Sequence, residues 1–244
     1  MKLEDKSVIV TGASSGIGEA IAAGFAREGA RVVTWGRNLD KLTKAKHRAG
    51  KASERLLPRL VDVADQDAVQ IATTEAVETL GGLDILVNNA GINVAKRALN
   101  ELSTADFNSI LQVNLNGVFY CIHAVLPHMR LCRAGLIITI SSVAGVRASV
   151  LGGAAYSASK FGASALSQMV GIEEAENGIR SCLICPGEVN TPILDDRPIR
   201  PTPEACAEML QPEDLAQAAL FLAMLPPRAT VPEMVITPST HKYC

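Results

Sequence analysis

Short runs of Val, Ile and Leu alternate with helical patterns along all 244 residues of this chain, and that alternation leaves few folds open. The candidate strands are Ser7–Thr11, Arg31–Trp35, Leu57–Val61, Ile85–Asn88, Leu136–Ile140, Ser181–Cys185 and Met234–Thr237. Between them, helical patterns lie near Ile17–Glu28, Leu39–Ala49, Ala64–Leu80, Ala105–Leu131, Tyr156–Asn177 and Glu213–Leu225. Strand, helix and strand in succession build right-handed βαβ units. Runs that are apolar throughout, rather than at every second residue, predict strands buried on both faces, as in a parallel sheet. The expectation is an α/β fold with a doubly wound parallel sheet of about seven strands and helices on both faces. No linker or compositional break divides the chain, so residues 1–244 read as one domain.

Composition agrees and excludes other classes. Apolar residues make up 48% and charged residues 20%, which rules out wholesale disorder. Only 4% are aromatic, which suits close helix-on-sheet packing better than an aromatic-rich sandwich. The net charge is −2 and no block of like charge is long, so neither nucleic acid nor an anionic membrane is an expected partner. The apolar runs read as shorter than the roughly 20 residues of a membrane helix. The charged start Met1–Lys6 does not resemble a signal peptide, and a cytoplasmic protein is expected. Six cysteines (Cys121, Cys132, Cys182, Cys185, Cys206 and Cys244) are scattered. Cys182 and Cys185 lie three apart on a predicted strand and so point to opposite faces, which argues for buried hydrophobes and against a metal.

The first strand runs into Thr11-Gly-Ala-Ser-Ser-Gly-Ile-Gly18, followed at once by an Ala-rich helix. Glycines at 12, 16 and 18 remove Cβ atoms where backbone N–H groups and a helix N-terminus can approach a pyrophosphate. Further on, Tyr156 and Lys160 stand four apart in a helical segment and share one face. A tyrosine titrates near 10 in water and needs a stabilised phenolate to work at neutral pH; a cation one turn away supplies that.

These elements, with Asp62, Asn88-Asn-Ala-Gly91, Asn114, Ser142, Tyr156-Ser-Ala-Ser-Lys160, Pro186-Gly187 and Thr191 following in order, resemble the short-chain dehydrogenase/reductase family over nearly the whole chain. The resemblance implies a Rossmann-type fold and a nicotinamide cofactor. It places Gly12, Gly16 and Gly18 at the pyrophosphate, Asp62 on the adenine and Asn88 near the ribose, with Ser14, Ser15, Ile17, Val63, Ala90 and Gly91 as further cofactor contacts. Pro186, Gly187, Val189 and Thr191 would bring the chain over the nicotinamide. It also implies a catalytic tetrad. Ser142 would hold the substrate oxygen, and Tyr156 would exchange a proton with it. Lys160 would lower the tyrosine pKa and bind ribose, and Asn114 would hold a relay water. Ser141 is adjacent, but neighbours on a strand face opposite ways, and Ser142 is the choice. The Ser142–Tyr156 interval is one residue longer than the commonest family spacing, a departure confined to Val143–Ala155.

The second strand ends in Gly36-Arg37-Asn38, where an NAD enzyme usually places a carboxylate for the ribose 2′-hydroxyl. Arg37 can instead grip a 2′-phosphate, with Asn38 assisting, so NADP(H) is favoured over NAD(H). The leading expectation is an NADPH-dependent reductase of a small-molecule carbonyl. An NAD(P)-dependent dehydrogenase of an alcohol, 3-hydroxy acid or sugar remains open, as does a catalytically silent NADP(H)-sensing module. Arg147, Arg197 and Arg200 are candidates for an anionic substrate, though surface pairing explains them more simply. Residues 192–211, with four prolines, read as a substrate lid. Apolar residues beyond one stripe on the two long helices (Cys121, Val125, Ala163, Leu166, Met169 and Val170) point to a homotetramer or homodimer.

Overall fold

A computed structural model describes residues 2–240; Cys244 lies outside them. Seven parallel strands form one sheet in the order β3-β2-β1-β4-β5-β6-β7. They are β1 Ser7–Thr11, β2 Arg31–Gly36, β3 Leu56–Leu60, β4 Ile85–Asn88, β5 Gly135–Ile140, β6 Ile179–Pro186 and β7 Glu233–Ile236. The helices are α1 Gly16–Arg27, α2 Leu39–Arg48, α3 Gln66–Leu80, α4 Thr104–Leu111, α5 Gly117–Cys132, α6 Ala154–Glu173, α7 Pro203–Glu208 and α8 Pro212–Met224.

Strand alternation divides the core in two. Val8, Val10 and Ile138 face α1 and α8, packing with Phe25, Leu215 and Leu222. Ile9, Leu86 and Ile137 face the other way, onto Val69, Val125 and Met129. The central strands are buried on both faces as expected. The two edge strands are not. Leu60 on β3 is exposed, as is Val235 on β7, because an end strand has less chain to cover it. β3 also carries Pro58, which a sheet tolerates at its edge.

Four expectations need correction. The predicted helix Ala105–Leu131 is two helices joined by a π-helical turn, Gln112–Asn116, with Asn114 at its centre. Such turns are frequent at functional sites. The stretch Thr104–Cys132 is, by length and a mean hydropathy of 1.3, long and apolar enough to cross a membrane; half of its apolar window is buried in the fold, as in a core helix. The stretch Pro186–Gln211, which its five prolines mark as irregular, holds a 3-10 turn, Pro192–Asp196, and the short α7. Finally, Cys121, Val125, Ala163 and Val170 are core residues of the single chain and leave no face for a partner. The large apolar residues left uncovered on α5 and α6 are Phe119, Leu131, Phe161, Met169 and Ile172.

Cys182 and Cys185 are both fully buried free thiols. Cys182 belongs to the core under α1 and α8.

Candidate active site

Strand order reverses between β1 and β4, which is where open α/β sheets leave a crevice beyond their carboxyl ends. A cleft of about 340 Å³ lies there. One end is walled by the glycine turn, Arg37 and Asp62, and the other by Ser142, Tyr156, Arg97 and Arg197.

The glycine turn is fastened to the end of β4 by Thr11 and Asn89. The Thr11 hydroxyl accepts from the backbone N–H of both Asn89 and Ala90, each at 3.0 Å. The Asn89 amide donates back to the carbonyls of Thr11 and Gly12. Gly12 has φ +63° and lies against Ala90, so a Cβ there would come within 2.8 Å of backbone. At Gly18 a Cβ would meet the Asn89 amide at 2.4 Å and the Gly12 carbonyl at 2.5 Å, so this glycine serves helix-to-turn packing and does not line the cleft.

Ser14, Ser15, Gly16 and Ile17 do line it. Ser15 is the N-cap of α1 but its side chain makes no capping bond, which leaves the first-turn amides without a side-chain acceptor. Uncommitted amide donors at a helix N-terminus, opening into a cleft, fit a pyrophosphate. Asp62, Val63, Ala90, Gly91, Pro186, Gly187, Val189 and Thr191 are also in the wall.

Besides Gly18, two predicted cofactor contacts fail to reach the cleft. Asn88 is buried on β4 beside its register partner Thr139, and the polar side-chain atoms of both have no protein partner. Alternation turns Asn88 to the face of Leu86; the residue that enters the wall is Asn89, one step past the strand. Asn38 caps α2, accepting from the Lys41 N–H at 2.9 Å, and is likewise outside the wall. Arg37 is exposed and in the wall.

At the far end, β5 delivers two serines to opposite sides. Ser141 is buried, its hydroxyl 3.1 Å from the Lys160 carbonyl and 2.9 Å from the Ser164 hydroxyl. Ser142 faces the cleft and hydrogen-bonds the Tyr156 hydroxyl. Burial pushes the Tyr156 pKa above its usual value, while the Ser142 hydrogen bond and the positive charge of Arg97 oppose that rise. Lys160, one turn along α6, is 4% exposed and donates to the Ile140 carbonyl at 2.8 Å. Burial pulls its pKa down to about 8.

Asn114 is fully buried, and its amide is already engaged. Its oxygen accepts from the Ile92 N–H at 2.8 Å, and its nitrogen donates to the Ile92 carbonyl and to Ser159. Ser159 in turn donates to the Tyr156 carbonyl at 2.7 Å. With both N–H donors spent, this side chain can meet a relay water only as an acceptor.

Of the arginines read as anion holders, only Arg197 reaches the cleft. Arg147 is exposed and outside the wall, and Arg200 is exposed and paired with Asp195. Sequence reasoning placed Arg97 only at the end of a wall segment, Asn93–Arg97, with no role of its own, and missed Asn89. Asn89 could have been found as the residue of the Asn-Asn pair that lies beyond the strand; nothing local marks Arg97 as buried.

A family profile, short chain dehydrogenase, matches residues 6–200. The chain is 34% identical to an uncharacterised oxidoreductase of Staphylococcus saprophyticus, over 98% of this chain and 99% of that one. The fold is similar to that of an alcohol dehydrogenase from the archaeon Thermococcus sibiricus complexed with 5-hydroxy-NADP. Its TM-score is 0.85 at 30% identity, covering 97% of this chain and 98% of that one. It is also similar to a 3-ketoacyl-(acyl-carrier-protein) reductase of Brucella melitensis complexed with NADH. There the TM-score is 0.86 at 28% identity, over 97% and 98% of the two chains. The chain therefore belongs to the short-chain dehydrogenase/reductase family of oxidoreductases.

Proposed function

We propose that this protein is an NADP(H)-dependent oxidoreductase that interconverts a carbonyl compound and its secondary alcohol, with Tyr156 as general acid and base and reduction as its working direction. One observation carries the reading: Ser142, Tyr156 and Lys160 stand at one end of a cleft whose other end is an uncapped helix N-terminus beside Arg37.

When bound, the nicotinamide supplies or accepts the hydride. The protein's share is the proton and its surroundings. Ser142 and Tyr156 converge from β5 and α6, so that a carbonyl oxygen between them would accept from both hydroxyls. Burial keeps the Tyr156 phenol protonated, ready to donate as the oxygen gains charge. Once the proton has left, the Ser142 hydrogen bond and the Arg97 charge favour the phenolate. Lys160 and the Asn114–Ser159–Tyr156 chain hold the helix turn that carries the tyrosine.

Arg37 supports NADP(H), because it stands in the wall at the end of β2 and no acid occupies Gly36 or Arg37 to repel a 2′-phosphate. The complex of the Thermococcus enzyme with 5-hydroxy-NADP is consistent with that preference. The Brucella complex with NADH keeps NAD(H) as the competing assignment. Asp62 would serve the adenine, although one carboxylate oxygen already accepts from the Ala64 N–H at 3.0 Å. Residues 192–211 would act as a lid, and a dimer or tetramer would cover Phe161, Met169 and Ile172.

The test is a panel of ketones and aldehydes with NADPH consumption followed at saturating cofactor. Turnover of at least one carbonyl, faster with NADPH than with NADH, is expected. No turnover across the panel, despite NADPH binding, would favour a silent sensing module.

A further inference from the structure

Arg97 is 8% exposed, and a guanidinium so deeply buried ordinarily faces a carboxylate. Among the described residues Arg97 has none within ion-pair distance. Its Nε donates to the Val94 carbonyl at 2.8 Å, one Nη to the Leu151 carbonyl at 3.0 Å, and the other Nη to the Asp196 carbonyl. Those carbonyls satisfy hydrogen bonds but do not neutralise a charge, and one N–H on each terminal nitrogen stays uncommitted. That remaining pair is what a guanidinium offers a two-oxygen anion.

A second cation stands beside it. Arg197 has a side chain 13% exposed and pairs with Glu188 at 2.7 Å. Both arginines line the cleft together with Ser142 and Tyr156. The other charged group near this corner is the Asp196 carboxylate, on an exposed residue where water screens it. Burial and the neighbouring Arg197 charge both disfavour the Arg97 cation. A guanidinium does not give up its proton, so an anion is what relieves that cost.

We propose that Arg97, with Arg197 beside it, binds an acidic group on the substrate, so that the carbonyl compound reduced at Tyr156 carries a carboxylate or a phosphate monoester. This rests on the reductase reading above and narrows its substrate class. The competing role for Arg97 is to tie together the segments after β4, before α6 and in the lid. A tie of that kind affects every substrate alike, whereas an anion receptor distinguishes an acid from its neutral counterpart.

The experiment compares pyruvate, acetoacetate and laevulinate with their methyl esters, and dihydroxyacetone phosphate with dihydroxyacetone, in the wild type, Arg97→Gln and Arg197→Gln. At the best chain length the wild type should prefer the anion by about ten-fold or more in kcat/KM. Arg97→Gln should bring that ratio to near one, and Arg197→Gln should lower it less. Effects on folding or on Tyr156 act on both members of a pair and cancel in the ratio. Preference for the acids or for dihydroxyacetone phosphate tells carboxylate from phosphate. Equal use of every anion and its neutral partner by the wild type, or an unchanged ratio in Arg97→Gln, would overturn the proposal. Calorimetric binding of the same pairs to the protein with NADP+ separates the two readings. Anion-selective binding lost in Arg97→Gln would uphold the acidic-group site even if no carbonyl were reduced. Binding that does not discriminate anion from neutral partner, with no turnover preference, would sink it.

Discussion

The ammonium of Lys160 lies 5.7 Å from the centre of the Tyr156 ring, while its hydrogen bond goes to the carbonyl of Ile140 rather than to the phenol. Lys160 is thus anchored to the end of β5, one turn from the tyrosine that shares its helix. The positive charge of Arg97 also bears on the Tyr156 hydroxyl and opposes the rise in its pKa. Family likeness assigns the tuning to the lysine; the geometry adds an arginine to it.

Burial of Lys160 should be visible in stability. Its folded pKa of about 8 lies below the ordinary lysine value of 10.5. Between those two values the unfolded chain holds a proton that the folded chain has released, so stability rises with pH. The contribution is complete above 10.5 and is lost as pH falls through 8. Urea denaturation of the wild type and Lys160→Met at pH 7.5 and 9.5 should show the wild type gaining on the variant at the higher pH. Equal changes in the two proteins would mean that Lys160 is not depressed.

Arg37→Ala should weaken NADPH by roughly 10- to 100-fold, since a hydrogen bond to a charged group contributes about 1.5–3 kcal/mol. NADH kinetics should hardly change. At Gly36 a Cβ would meet Leu42 at 3.4 Å, an ordinary contact, so Gly36→Asp is sterically tolerable. Combined with Arg37→Ala it should reverse the preference by repelling the phosphate and accepting from the hydroxyl. The readout is kcat/KM for both cofactors. A wild type that uses NADH equally well, or a ratio untouched by Arg37→Ala, would return Arg37 to an ordinary surface residue.

Phe161, Met169 and Ile172 repeat at helical spacing along α6 and are 44%, 45% and 72% exposed, which leaves an apolar face for a second copy. Light scattering should report a dimer or tetramer, and Met169→Glu should shift it toward the monomer. A species of about 26 kDa at every dilution (one chain is 25.7 kDa) would remove the claim.

The lid should exchange its amide hydrogens faster than the core in the cofactor-free protein. The ties on residues 192–211 include the Arg97 bond to Asp196, the Arg197–Glu188 pair, the bridge of Leu210 to Val189, the Gln211 bonds to Asn190 and Asp214, and the buried Leu194. Most of the segment between them is exposed. NADPH with a carbonyl substrate should slow that exchange. Exchange equally slow with and without them would contradict a lid.

Patterns that depend on neighbours in sequence were legible; those that depend on distant segments were not. Apolar runs marked every strand, β-branched in all but β3, and alternation separated Ser141 from Ser142 because adjacent strand residues face opposite ways. The same rule, carried one residue further, would have exchanged Asn88 for Asn89. Asn38 directly before a helix is a favoured N-cap, and that local use competes with a ligand for its side chain. The π turn at Asn114 leaves no mark in a helical pattern. The burial of Arg97, as distinct from its place in a wall segment, was not legible because it needs three loops to meet, and the free face of α6 was hidden because that helix is apolar on its covered side too.

The most direct measurement of the central claim is single-turnover reduction of the best carbonyl by NADPH in the wild type and in Tyr156→Phe. The phenyl ring keeps the packing and removes only the hydroxyl that hydrogen-bonds Ser142. The variant should fold and bind NADPH as the wild type does, while the chemical step slows by about 10²- to 10⁴-fold, the range of a positioned acid–base group. A folded, NADPH-binding variant that keeps more than about a tenth of the wild-type rate would contradict proton transfer by Tyr156.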